Sequence, residues 1–150
     1  IGSDRYWQKV LRLLQTRCRG YCATSYLKTI LNSWTTSARF PHGDGLSCIL
    51  GCGSTCARDA VPHYMKCVIA RDALASAFGC EMSSDSAIFG TEHSVSEVHI
   101  ARVAVLFIAY HSLKLGQSTM VWASHHSANY ELLRRTFVEC CVAARSELAR

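Results

Sequence analysis

The chain has 150 residues, 49% of them apolar and 18% charged, with a formal net charge of +5. This composition excludes an intrinsically disordered or low-complexity chain, and the length suffices to bury a core without covalent cross-links. Nine cysteines, an odd number at irregular spacings, argue against a small secreted disulfide scaffold. They predict metal-bound and buried thiols in a reducing intracellular compartment, nucleus or cytoplasm ahead of an organelle. The longest apolar run, Val103 to Tyr110, falls well short of the ~20 residues a membrane helix needs, so no transmembrane segment is expected. The amino end, Ile1-Gly2-Ser3-Asp4, lacks both an initiator Met and a signal sequence, which predicts a processed product or a piece of something longer.

Ser3 is the expected cap of a strongly amphipathic first helix. Tyr6, Val10, Leu11, Leu13, Leu14 and Cys18 fall on one side of it, and Arg5, Lys9, Arg12 and Arg19 on the other. Gly20 is a natural stop. A second helix is expected from about Cys22 to Ser33, burying Tyr26, Leu27, Ile30, Leu31 and Trp34, with Thr35-Thr36-Ser37 continuing or fraying it. Pro41-His42-Gly43-Asp44-Gly45 reads as a turn-rich loop. After a cysteine-bearing knuckle, Ala60 to Phe78 reads as helix, broken near Cys67, with Pro62 in its first turn and Gly79 closing it. Residues 80–93 form a Ser/Asp-rich connector, and Ser94-x-x-Glu97 has the pattern of a capping box. The helix it opens reaches about Leu115 and is apolar nearly all round, which makes it the central buried helix. A last helix is expected from Ser127 to Arg150, carrying Tyr130, Leu132, Leu133, Phe137, Val138, Cys141 and Leu148. With no period-two pattern of useful length and no internal repeat, the fold class is all-α. It is a single small helical domain with a Cys3His zinc knuckle between the second and third helices. Its stretches are amphipathic helices over 1–40, the knuckle and its helix over 41–79, and a helical pair over 94–150.

The knuckle is Cys48-Ile49-Leu50-Gly51-Cys52 followed by His63-Tyr64-Met65-Lys66-Cys67, a C-x3-C-x10-H-x3-C pattern. Thiolate and imidazole are the ligands zinc prefers, and a Cys3His set closes its tetrahedron, so the ion is structural rather than catalytic. Gly51 and Gly53 bracket the second thiolate, where the backbone must bend sharply and present N–H groups to sulfur. His63 and Cys67, four apart, share a helix face. The expected metal ligands are Cys48, Cys52, His63 and Cys67, holding Zn2+. Cys56 lies inside the interval and is an alternative to Cys52. Cys18 and Cys22 have no His nearby in sequence and read as buried or free thiols.

Other chemistry is discounted. His93, His99, His111 and the His125-His126 pair read as exposed or core histidines, and no Gly-x-Ser-x-Gly elbow or phosphate-binding glycine motif occurs. The eleven acids are scattered, with no adjacent Asp pair to hold two catalytic metal ions. No enzyme is expected. Residues 1–22 carry Arg5, Lys9, Arg12, Arg17 and Arg19 against the single acid Asp4, an asymmetry that favours an anionic partner. The competing view of the Arg5, Lys9, Arg12 and Arg19 stripe is an ordinary solvated helix face.

Several stretches together resemble the zinc-binding C-terminal region of reverse transcriptases from non-LTR retroelements. They are Leu27-Lys28-Thr29, Asn32 to Arg39 with Trp34 inside it, Cys48 to Cys52, Asp59, His63-Tyr64, Cys67 and Tyr110-His111-Ser112-Leu113-Lys114. The likeness covers about residues 22–115 and is most specific around the zinc ligands. It implies a region that follows a polymerase and helps grip RNA or DNA, with Cys48, Cys52, His63 and Cys67 as ligands. The interval from Cys52 to His63 is longer than the family pattern suggests. The expected function is a non-catalytic, zinc-stabilised nucleic-acid-binding module, with Arg5, Lys9, Arg12 and Arg19 on phosphates and Lys28, Arg39 and Lys66 as further contacts. The alternative is a structural adaptor subunit of a larger protein or ribonucleoprotein assembly, its basic stripe facing an acidic protein surface.

Overall fold

A computed structural model describes residues 3–39, 47–53, 58–91, 93–116 and 130–149. Among these the regular structure is seven α-helices: α1 (Asp4–Thr16), α2 (Gly20–Ile30), α3 (Val61–Tyr64), α4 (Val68–Phe78), α5 (Asp85–Phe89), α6 (Glu97–Gly116) and α7 (Glu131–Ala149). A single 3-10 turn, Ser37–Arg39, lies between α2 and α3. The described residues contain no strand, only an isolated antiparallel bridge between Ser47 and Arg58. The all-α expectation is met, with the Cys3His group beginning between α2 and α3.

The core is built around α6. Every residue from Val103 to Tyr110 is buried, and α1, α2, α4, α5 and α7 all pack on this helix. Its length and apolar composition would suffice to cross a membrane, contrary to the sequence expectation that no segment approaches this. In the fold the neighbouring helices cover its middle, Val103 to Tyr110, while Val98 and Leu115 near its ends stay exposed.

α1 follows its periodicity. Ser3 accepts a hydrogen bond from the Tyr6 N–H at 3.2 Å, and Tyr6, Val10 and Leu14 form the buried stripe. Leu11, expected on that stripe, is 50% exposed. Gly20 does not end this helix. The chain leaves it at Arg17, and Gly20 is the first residue of α2. α2 ends at Ile30, three residues before the expected Ser33, in a left-handed Asn32 (φ 52°). The Ser33 N–H donates to the Lys28 carbonyl and the Asn32 N–H to that of Thr29, which is the Schellman arrangement.

The buried face of α2 also differs from expectation. Cys22, Ser25, Tyr26 and Thr29 are buried, whereas Leu27 and Leu31 are exposed. Thr29 tolerates burial because its hydroxyl donates to the Ser25 carbonyl and accepts from the indole N–H of Trp34. The 80–93 connector contains α5, which puts Ile88 into the core. The Ser94–Glu97 capping box is not formed. Ser94 Oγ turns back to accept from the Thr91 N–H at 2.9 Å, and it is the Ser96 carbonyl that accepts from His99 and Ile100 at the start of α6. Cys18 and Cys22 are free thiols as expected, half-buried and buried. α7 begins at Glu131, with Leu133, Phe137, Cys141 and Ala144 buried and Leu132 exposed. Residues 127–129, like Cys56, His125, His126 and the 41–45 loop, lie outside the described residues.

Candidate metal centre

The second half of the expected ligand set is placed by a break in the helix. The Ala60 to Phe78 stretch is broken near Cys67, as the sequence reading expects: the chain makes one turn (α3, with Pro62 in it), bends at Met65 to Cys67, and restarts as α4. Cys67 stands immediately before α4, where a helix's free N–H groups favour a negative sulfur. The first half is a tight turn. The Gly51 N–H donates to the Cys48 carbonyl at 2.9 Å, and both Gly51 (φ 58°) and Gly53 (φ 72°) adopt the left-handed conformation on either side of Cys52. The Ser47–Arg58 bridge closes the base of this loop.

These elements bring all four expected ligands together. One ligand atom from each of Cys48, Cys52, His63 and Cys67 lies within 4.8 Å of every other. Cys48 Sγ and Cys67 Sγ are 3.9 Å apart, and Cys52 Sγ is 3.4 Å from His63 Nε2. The group can hold a metal ion. Cys48 and Cys67 are buried, while Cys52 and His63 are half-buried. The Cys67 thiol is pulled down to about 5, first by the hydrogen bond from Cys48 and then, against burial, by the Ala70 N–H, His63 and the Ile69 N–H. The same pairing, with burial, pushes Cys48 up. One sulfur of the pair is thus ready to bind a cation as thiolate.

A buried network that sequence reading did not assemble holds this turn in place. Asp59 is 1% exposed, yet every lone-pair direction of its carboxylate is answered. Its Oδ2 accepts from the Ser37 N–H at 2.6 Å and from Lys114 Nζ at 3.1 Å. Its Oδ1 accepts from the Tyr64 hydroxyl at 2.7 Å and the Tyr110 hydroxyl at 2.9 Å. Tyr64 in turn accepts from the Ile49 N–H at 3.2 Å, which ties the knuckle backbone to the network. Trp34, fully buried, stacks on Tyr64 and packs against Tyr110, Phe107 and His111. The signal available in the sequence was polar residues inside apolar runs, Tyr110 and Lys114 on the core helix and Tyr64 beside a ligand.

From the far end of the chain, α7 reaches the same turn. Arg134 donates from Nε to the Leu50 carbonyl at 2.9 Å and from Nη2 to that of Gly51. The Tyr130 ring lies so close to Gly51 that a Cβ there would sit 2.2 Å from it. Sequence separation hid both contacts.

Of the four expected phosphate contacts, three are exposed and one is half-buried. Arg5, Arg12 and Arg19 are exposed, the last in the turn between α1 and α2. Lys9 is half-buried and donates to the His93 carbonyl at 3.0 Å. Among the remaining histidines, His111 Nδ1 is 2.9 Å from the Phe107 carbonyl and His99 Nδ1 is 2.8 Å from Ser96 Oγ. Burial lowers the pKa of both. No protein-family model, no curated protein and no solved structure matches the chain. The functional reading therefore rests on the chemistry of its own residues.

Proposed function

We propose that the chain is a zinc-stabilised, helical nucleic-acid-binding module, non-catalytic by itself and similar to the zinc-binding tail of a non-LTR retroelement reverse transcriptase. The observation that carries this reading is the convergence of Cys48, Cys52, His63 and Cys67. With Zn–S bonds near 2.3 Å and Zn–N bonds near 2.05 Å, a tetrahedron has S···S edges of about 3.8 Å and S···N edges of about 3.6 Å. Two of the six edges, at 3.9 and 3.4 Å, are close to these lengths, and the others lie within 4.8 Å, which supports such an ion. Three thiolates and an imidazole suit zinc better than an oxygen-seeking cation. The residues that carry the family likeness support the reading from a second side. Trp34, Asp59, Tyr64, Tyr110 and Lys114, far apart in sequence, meet in one network that braces the knuckle.

An anionic partner is supported by the exposed guanidiniums of Arg5, Arg12 and Arg19, none of which has a carboxylate within ion-pair distance among the described residues. A reading as an adaptor subunit is favoured by Tyr21, Leu27 and Leu31, apolar side chains left uncovered on α2, Leu31 by 73%. The experiment that separates them is metal analysis of the purified chain followed by an oligonucleotide titration over a salt series. Stoichiometric zinc and affinity that falls linearly in log salt are expected, because each neutralised phosphate releases counterions. Reversing the charges of Arg5, Lys9 and Arg12 should weaken that binding; the two exposed arginines move stability by about 0.5 kcal/mol or less each, and Lys9 adds the loss of its bond to the His93 carbonyl. Absence of zinc ends the reading, and salt-independent co-purification with a protein turns it to the adaptor.

A further inference from the structure

Three of the four donors, Cys52, His63 and Cys67, line an open cleft of about 560 Å³, within the size range of small-ligand sites. The other walls of this cleft include Arg58, Pro62, Lys66 and Val68, and no acidic residue among the described ones lines it. Arg58 and Lys66 are both exposed, and neither has a carboxylate within 4.0 Å among the described residues. The acid nearest in sequence, Asp59, is turned the other way. Extended backbone at the Ser47–Arg58 bridge sends successive side chains to opposite sides, so Arg58 faces out while the Asp59 carboxylate is consumed inside by Ser37, Tyr64, Tyr110 and Lys114. A divalent ion held by three thiolates and a neutral imidazole carries a net charge of −1, which the two cations exceed. The floor supplies uncovered apolar surface at Pro62 and at Val68, the latter 48% exposed.

We propose that this cleft seats one nucleotide of a single-stranded nucleic acid, its phosphate between Arg58 and Lys66 and its base on Pro62 and Val68. The inference rests on the nucleic-acid-binding reading and deepens it, moving the specific contact from α1 to the metal centre. A strand with free bases fits these features because a base can lie on an apolar floor only when it is unstacked from its neighbours. A double-stranded ligand offers the cleft phosphates alone.

The test uses the full zinc-loaded chain and a fluorescein-labelled oligothymidylate, read by anisotropy across a salt series. Arg58→Glu with Lys66→Glu is expected to weaken binding about tenfold or more and to flatten the log–log salt slope by about 0.7, the share of the one phosphate they hold on a single strand. Zinc content and melting should stay as in the parent. If the parent binds and only the Arg5, Lys9 and Arg12 reversals weaken it, the cleft assignment falls while the module reading stands. If the parent does not bind, both fall. Polyglutamate competing as well as unlabelled oligothymidylate also overturns the assignment, since it shows a general anion cleft. A second measurement does not depend on any variant folding. In the Co2+-substituted chain, saturating oligothymidylate should shift the visible metal absorption, because the nucleotide stands beside Cys52 and His63. An unchanged spectrum overturns the proposal.

Discussion

Asp59 is a carboxylate kept ionised where burial alone would neutralise it. Burial raises its pKa, but the Ser37 N–H, the Tyr64 hydroxyl, the Lys114 ammonium and the Tyr110 hydroxyl outweigh that, and the result lies below the ordinary carboxylate value. The pKa is therefore lower folded than unfolded. Its stabilisation is complete above the unfolded pKa and is lost as pH falls through the folded one. Asp59→Asn should cost about 2–3 kcal/mol at neutral pH, because the amide keeps one acceptor oxygen and sets an NH2 donor against the donors of the other, either the Ser37 N–H with Lys114 or the two tyrosine hydroxyls. It should also flatten the acid limb of a stability-versus-pH curve. A denaturation series on both proteins, from neutral pH down into the carboxylate range, checks the magnitude and the sign together. Gly51 makes a second residue-scale test. An alanine there meets both the left-handed backbone and the Tyr130 ring, whereas at Gly53 nothing lies within 4 Å and only the backbone objects. Gly51→Ala should lose about 3 kcal/mol and Gly53→Ala about 1, the difference being overpacking. Urea unfolding of the two metal-loaded variants measures it, and Tyr130→Ala should relieve Gly51→Ala alone.

At the scale of elements, periodicity reveals a helix well where one face is apolar and the other charged. α1 shows this in Tyr6, Val10 and Leu14. It misleads at α2, where Ser25 and Thr29 enter the core and Leu27 and Leu31 do not, because the hydrogen-bonded hydroxyl of Thr29 can be buried at little cost. Capping patterns compete in the same way. Ser94 has the spacing for a capping box, but Thr91 offers it a nearer partner, and the helix starts after Ser96. Ser96→Ala should cost about 1 kcal/mol through loss of the bond between Ser96 Oγ and His99 Nδ1 at 2.8 Å. Glu97→Gln should change little, where an intact capping box would have made it costly. Thermal melts of the two variants side by side check both outcomes. The ligand set was legible because its members lie on adjoining turns and zinc chemistry restricts their types. Tyr130 and Arg134 were not, since nothing local ties α7 to a loop more than 80 residues earlier.

On the scale of the whole molecule, the knuckle lies where α3, α4, α6 and α7 converge, so the loss of an ion held there would not be a local event. Structural zinc contributes about 10 kcal/mol or more in small sites, comparable to the about 5–15 kcal/mol by which a domain is stable at all. Chelation, or Cys48→Ser, is expected to melt the region from the 3-10 turn through α4 and to release α7 from Leu50 and Gly51. Circular dichroism with and without chelator, together with hydrogen exchange at Ile49 and Gly51, measures both. A chain that keeps its ellipticity and protection after the metal is stripped would show that the Asp59 network alone holds the turn.

The span of the Cys3His group sets an order of events in assembly. All four donors fall between residues 48 and 67, whereas the Arg134 clamp on Leu50 joins residues 84 apart. The entropy of closing a loop grows with its length, and folding rates fall as contacts become less local. An ion held there could therefore be captured while α6 and α7 are still undocked, and the loop it closed would be a template on which Tyr64, Asp59, Tyr110, Lys114 and finally Arg134 could assemble. A metal in this place would act less as a rivet in a finished structure than as its nucleation point, and would tie the availability of the ion to the speed of folding as well as to its final stability.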